Sequence, residues 1–256
     1  MPSASIGGGR AFLAATQSLL WPLYLVWSGC VVAVWTVGIG EVELQNAVTH
    51  TDLRAALQAV LRLMEPLWIT LGFYHIYGAL VLQAGISQAR RWIGTGLLVC
   101  LLIAWISSST SWPLGPVHFT ERLGKRFGPV PLCLPLLWLT LFLGARATAA
   151  RLLSAALPKA VPAVTAALAC VSGLLIDPVA WKQRSWWLWY PADVHAPAAA
   201  PWTAPVTFFV ASYVAAAVMR GSAKAIAPRR ETRVPIVVFA VVQAAFLATR
   251  LVAAFR

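Results

Sequence analysis

Seven stretches of the chain stay apolar for long enough to cross a bilayer, at about 15–39, 66–84, 92–108, 130–150, 160–177, 204–220 and 234–252. A spanning helix needs about 20 predominantly apolar residues, so each is read as a membrane helix. Prolines mark several starts: Pro66, Pro131, Pro162, Pro205 and Pro235. In a first helical turn the missing N–H had no partner to lose. Pro22 and Pro135 lie deeper, where a proline kinks its helix. In the first connection, Leu53, Ala56, Leu57, Val60, Leu61 and Met64 recur at helical spacing, with Asp52, Arg54, Gln58 and Arg62 between them. That pattern predicts an amphipathic helix lying on the membrane surface. The expected fold is all-α: a polytopic membrane helix bundle of about seven transmembrane helices plus one interfacial helix. Residues 1–256 are expected to form a single integral membrane domain.

Composition strengthens this picture. The chain is 60% hydrophobic and 11% charged, against roughly 25% charged in soluble domains. Lipid, not water, is its main solvent. A formal net charge of +12 would suggest nucleic acid in a soluble protein. Here the basic residues occupy short connections, where they anchor helices to head groups. No basic patch with interleaved aromatics lies outside the apolar frame, so no nucleic-acid partner is expected. A slight excess of Lys and Arg on the N-terminal side places the N-terminus in the cytoplasm. The acids divide more sharply. Only Glu231 lies on that side, whereas Glu41, Glu43, Asp52, Glu65, Glu121, Asp177 and Asp193 lie on the other. Every candidate proton donor therefore opens toward one face. Cys30, Cys100, Cys133 and Cys170 fall in or beside apolar runs without a C-x-x-C pair, and read as small buried residues. No cleavable signal peptide is expected, because the first apolar run is too long for one.

The likeliest place for chemistry is the polar connection from Trp112 to Gly124, which carries Pro113, Gly115, His118, Phe119, Thr120 and Glu121 between two spans. Asp177 closes the fifth span in Leu174-Leu175-Ile176-Asp177-Pro178. Carboxylates in membrane helices are rare and functional by default. The negative end of the helix and the low dielectric both disfavour ionisation, so Asp177 is the expected neutral acid. The plainer reading is a helix stop bonded to the next loop. Glu121 is a second acid, although Arg122, Lys125 and Arg126 beside it favour an ion pair. His118 is positioned to orient water or a carboxylate, or is simply solvated. His75, within the second span, reads as packing polarity in need of a partner such as Tyr74, Tyr77 or Gln243. The fifth connection holds Trp181, Trp186, Trp187, Trp189, Tyr190 and Trp202, either an interfacial aromatic belt or a stacking surface for a long polyene. Common nucleotide, zinc and serine-nucleophile signatures are absent. Four scattered histidines are too few for the histidine boxes of a membrane di-iron oxygenase or desaturase.

Two of these segments resemble the paired signatures of the bacterial and archaeal carotenoid biosynthesis membrane proteins, a group that includes the gamma-carotene and bisanhydrobacterioruberin hydratases. The first signature reads Trp112-Pro113-Leu114-Gly115, Phe119-Thr120-Glu121, Leu123-Gly124, Val130-Pro131, Pro135 and Trp138. The second is Asp177-Pro178 followed by Trp186, Trp187 and Trp189. The resemblance covers about residues 90–220. It departs at Ala104 and Gly173, where relatives carry acids, and at Trp202-Thr203-Ala204-Pro205, which lacks an expected Asn.

The resemblance implies a hydro-lyase of a bacterial inner membrane, adding water across the terminal double bond of an acyclic carotenoid end. An acid protonates the alkene, and water captures the tertiary cation. Asp177, Glu121 and His118 are then the expected catalytic residues. Trp112, Pro113, Gly115, Phe119, Thr120, Trp138, Trp186 and Trp189 are the expected substrate contacts. Neither cofactor nor metal is implied. The partners are the acyclic carotenoid, membrane lipid and other enzymes of carotenoid biosynthesis. Rival readings are a membrane scaffold, a transporter of lipid-soluble pigment and an end-group cyclase. The absence of internal repeats weakens the transporter.

Overall fold

All seven predicted spans appear as helices in the computed structural model, which describes residues 4–38, 48–153, 157–190, 200–220 and 233–255. They are α1 (Ala4–Val37), α2 (Thr51–Ala84), α3 (Ile86–Thr110), α4 (Cys133–Leu153), α5 (Val161–Pro178), α6 (Thr203–Arg220) and α7 (Arg233–Ala254). Six are long and apolar enough to cross a membrane, and the apolar part of α6, Thr203–Met219, is shorter. The chain is an all-α, polytopic membrane bundle. Glu41, Glu43, Asp193 and Glu231 lie outside the described residues.

The expected surface helix and second span are one continuous helix. In α2 the amphipathic stretch runs directly through Pro66. Its 34 residues reach about 50 Å at 1.5 Å per residue, well beyond a core of about 30 Å. Burial shows where the bundle begins. Residues before Met64 are mostly exposed, whereas Met64, Trp68, Leu71, His75, Gly78 and Val81 form a buried stripe at helical spacing. Pro66 removes one backbone N–H from the ladder, and the helix continues past it. Pro135 also differs from expectation. Because α4 begins at Cys133, this proline sits in the first turn, where it needs no kink. Residues 130–131, predicted to open the helix, instead form a short strand.

α2 and α4 are the most enclosed helices, and α3 is the least. α7 packs on α1, α2, α4 and α5, and α6 lies along α5. Toward one end an aromatic cluster forms where the ring of Trp35 lies 5.3 Å from Trp68, 5.5 Å from Trp186 and 5.5 Å from Phe246. His75 finds aromatic neighbours and not Gln243. Its ring stands edge-on to Trp21 at 4.8 Å, with Tyr24 and Tyr74 beyond, and its buried Nε2 has no hydrogen-bond partner among the described residues, so the expected polar partner is not found. The helix is tied to α1 by Gln17 Nε2, which donates to the His75 carbonyl at 2.9 Å.

Two connections fold back over the end of the bundle. The α3–α4 connection supplies β1 (Val117–Phe119), a 3-10 turn (Glu121–Leu123), β2 (Arg126–Phe127) and β3 (Val130–Pro131). The α5–α6 connection supplies a π turn (Val179–Gln183) and β4 (Trp187–Trp189). β1 pairs antiparallel with β4, with Val117 opposite Trp189, His118 opposite Leu188 and Phe119 opposite Trp187. β2 pairs with β3.

Candidate active site

Side chains along a strand alternate between faces, and that alternation builds the site. Val117, Phe119, Trp187 and Trp189 share the inner face of the β1–β4 ribbon, and all four line a cavity of about 250 Å³. His118, on the opposite face of β1, is exposed. The floor comes from the end of α5 with Gly173, Ile176 and Asp177, and the walls from Trp138 of α4 and Phe208 of α6. Leu174 also lines the cavity and is exposed on the outside of the bundle. The space therefore reaches the lipid-facing surface between α5 and α6.

Asp177 is the single carboxylate in this apolar lining, half-buried beneath the ribbon. Trp187 Nε1 donates to its Oδ1 at 3.0 Å and Trp189 Nε1 to the same atom at 2.8 Å. Oδ2 receives no hydrogen bond among the described residues. Both lone pairs of one oxygen are used, and the other oxygen is left to carry or release a proton. The π turn directly after α5 swings the chain from Asp177 back to the ribbon, with Arg184 N–H closing onto the Val179 carbonyl at 2.9 Å. Such turns recur at functional sites. Lys182 is the other polar lining residue, and its Nζ lies over the Trp181 ring at 5.0 Å.

The remaining expected site residues fall elsewhere. Glu121 is exposed, and its Oε1 pairs with Arg126 Nη2 at 2.9 Å outside the cavity. Trp112 is 69% exposed. The Pro113 carbonyl accepts from Thr207 Oγ1 at 3.0 Å, and the neighbouring Leu114 carbonyl accepts from Thr203 Oγ1 at 2.9 Å. These bonds seat the start of α6. Gly115 has φ +112° and lies against Pro201, in space that a Cβ would need. Thr120 caps the 3-10 turn and bonds across to the Ser185 carbonyl. Of the eight expected contacts, Phe119, Trp138 and Trp189 line the cavity.

Trp186 faces away from Asp177 and belongs to a second buried cluster. Glu65, only 2% exposed, accepts from Arg184 Nε at 2.6 Å and Trp35 Nε1 at 3.1 Å on Oε1. Its Oε2 accepts from Trp186 Nε1 at 2.7 Å. An arginine and two indoles thus donate to both oxygens of Glu65.

The family model for carotenoid biosynthesis proteins matches residues 64–256. The chain belongs to that family. The match in this carotenoid biosynthesis protein begins at the first buried residue of α2 and spans both carboxylates, the ribbon and the cavity. No curated protein and no solved structure matches the chain. Sequence reasoning missed Glu65 and Arg184 as a pair, and Trp187 and Phe208 as cavity walls. For Glu65 a signal existed, an acid inside the apolar run Leu63-Met64-Glu65-Pro66-Leu67-Trp68. Reading Pro66 as a helix start placed that acid outside the span.

Proposed function

We propose that this carotenoid biosynthesis protein hydrates the terminal alkene of an acyclic carotenoid end group, with Asp177 as the acid. The observation that carries the reading is a lone carboxylate with one oxygen unbonded, set in a cavity that is apolar and aromatic apart from Lys182, whose Nζ lies over Trp181, and that opens to lipid. At about 250 Å³ the cavity is smaller than the roughly 300–1,000 Å³ that engulfs a drug-sized ligand. It fits the end of a polyene, whose remaining length lies in lipid beyond Leu174.

In the proposed reaction the proton on Asp177 Oδ2 passes to the less substituted alkene carbon. The two π electrons form the new C–H bond, and positive charge develops on the tertiary carbon. The faces of Phe119, Trp138 and Phe208 stabilise that charge. A water oxygen attacks the cation, and its surplus proton returns to the carboxylate, restoring the acid. The indole N–H groups of Trp187 and Trp189 hold the carboxyl group in one orientation throughout. Neither Glu65, whose oxygens are both occupied, nor Glu121, exposed and ion-paired, offers an acid facing the cavity.

Expression in a host that accumulates acyclic carotenoids tests this directly. The expected product carries one added water by mass spectrometry, and Asp177→Asn lowers its formation by about 10²-fold or more. Full conversion by Asp177→Asn would remove the acid. An isomeric, more cyclic pigment would instead identify a cyclase, and unchanged pigment a scaffold or carrier.

A further inference from the structure

The loop that reaches Asp177 is held from behind by Glu65. Arg184 and Trp186 donate to Glu65, and Trp187 and Trp189, just downstream, donate to Asp177. Trp186 and Trp187 point to opposite sides of the chain, so the pull on one sets the reach of the other. The loop backbone has its own ties: Trp186 N–H donates to the Ala180 carbonyl at 2.7 Å, and Thr120 N–H to the Trp186 carbonyl at 3.0 Å. Glu65 adds an anchor in α2, a helix outside the loop, and Trp35 extends that anchor to α1.

We infer that Glu65 is a positioning residue, which fixes Arg184 and Trp186 and so sets where Trp187 and Trp189 hold Asp177. The consequence for rate rests on the hydratase reading, whereas the consequence for geometry does not. A misplacement of about 1 Å at a reacting group costs on the order of 10²-fold in rate. In detergent-purified protein, Glu65→Gln is expected to lower kcat by about that factor while KM changes much less, because a small shift of Trp187 and Trp189 leaves the other walls of the apolar cavity in place. Trp186→Phe, which keeps the ring and removes one donor, shifts kcat in the same direction by less. Glu65→Asp, which keeps the carboxyl group, recovers part of the loss.

Coupling separates positioning from a general fault in folding. In a Trp187→Phe/Trp189→Phe background, the further loss from Glu65→Gln is expected to shrink strongly, since the holders through which it acts are gone. An equal fold loss in both backgrounds overturns the proposal, as does wild-type kcat in Glu65→Gln. A readout independent of turnover is the infrared carboxyl band assigned to Asp177 by its disappearance in Asp177→Asn. That band is expected to shift in Glu65→Gln and Trp186→Phe. If the wild-type protein hydrates nothing, the reading of the reaction fails, and the band alone decides the positioning role: an unmoved band ends it.

Discussion

At the scale of single residues, the informative contrast is between the two candidate acids. Asp177 and Glu121 both stand beside a helix end on the same side of the bundle, yet they have opposite surroundings. Asp177 meets indole N–H groups and apolar walls, and Glu121 meets Arg126 in the open. In the proposed reaction, charge develops on the Asp177 carboxylate as its proton leaves, and hydrogen bonds to a charged group contribute about 1.5–3 kcal/mol, so Trp187→Phe and Trp189→Phe are each expected to reduce kcat by about tenfold or more while keeping the cavity filled. Steady-state turnover of the purified variants checks this, and wild-type kcat in both would reduce the tryptophans to packing. Exposed ion pairs contribute about 0–1 kcal/mol. Glu121→Gln is accordingly expected to leave turnover unchanged and to move detergent-state stability by no more than that amount, as thermal unfolding would show. Asp177 itself was legible because an acid at the end of an apolar run is conspicuous. Its partners were legible only as a cluster of tryptophans, since nothing in their spacing shows which ones face inward.

At the scale of elements, helices and ribbon differ in how much of themselves they write into the chain. A membrane helix is specified locally by a long apolar run, and all seven appeared where hydropathy put them. The ribbon is specified by pairing between short strands some 70 positions apart, β1 with β4, and strands of three residues carry too little alternation to be recognised. The signature turn Trp112-Pro113-Leu114-Gly115 illustrates the consequence. Its Leu114 lines the cavity, while the carbonyls of Pro113 and Leu114 seat the hydroxyls of Thr207 and Thr203 and Gly115 fits against Pro201. Gly115 also has φ +112°, a backbone shape that side chains rarely adopt. Gly115→Ala should therefore destabilise the fold by about 1–3 kcal/mol through overpacking, with further strain from the backbone. The expected signature is a lower unfolding midpoint in detergent, with KM for the carotenoid changed little in the folded fraction. A large rise in KM without loss of stability would return the turn to the substrate site.

At the scale of the whole molecule, buried Glu65, half-buried Asp177 and the ribbon gather at one end of the bundle, where Trp35 near the end of α1 and the loop after α5 meet Glu65 in α2. Trp112 and Trp202, 69% and 75% exposed, flank that end in the manner of interfacial anchors. Under the proposed hydratase reaction, a site at this depth would draw alkene from the lipid between α5 and α6 and water from the adjoining aqueous face. Which face that is depends on orientation, and the proposed cytoplasmic N-terminus puts the site on the opposite side of the membrane, since loops after odd-numbered spans lie there. Cysteine labelling decides it. In a version with Cys30, Cys100, Cys133 and Cys170 replaced, a cysteine at Phe127 reports the ribbon end and one at Lys159 reports the other end. Both positions are exposed, and α4 lies between them. A membrane-impermeant thiol reagent should label Phe127→Cys in intact cells and Lys159→Cys only after permeabilisation. The reverse pattern would place the N-terminus outside and the site against the cytoplasm. Labelling of both in intact cells would mean that α4 does not cross, and a cavity fed by lipid on one side and water on the other could not survive that result.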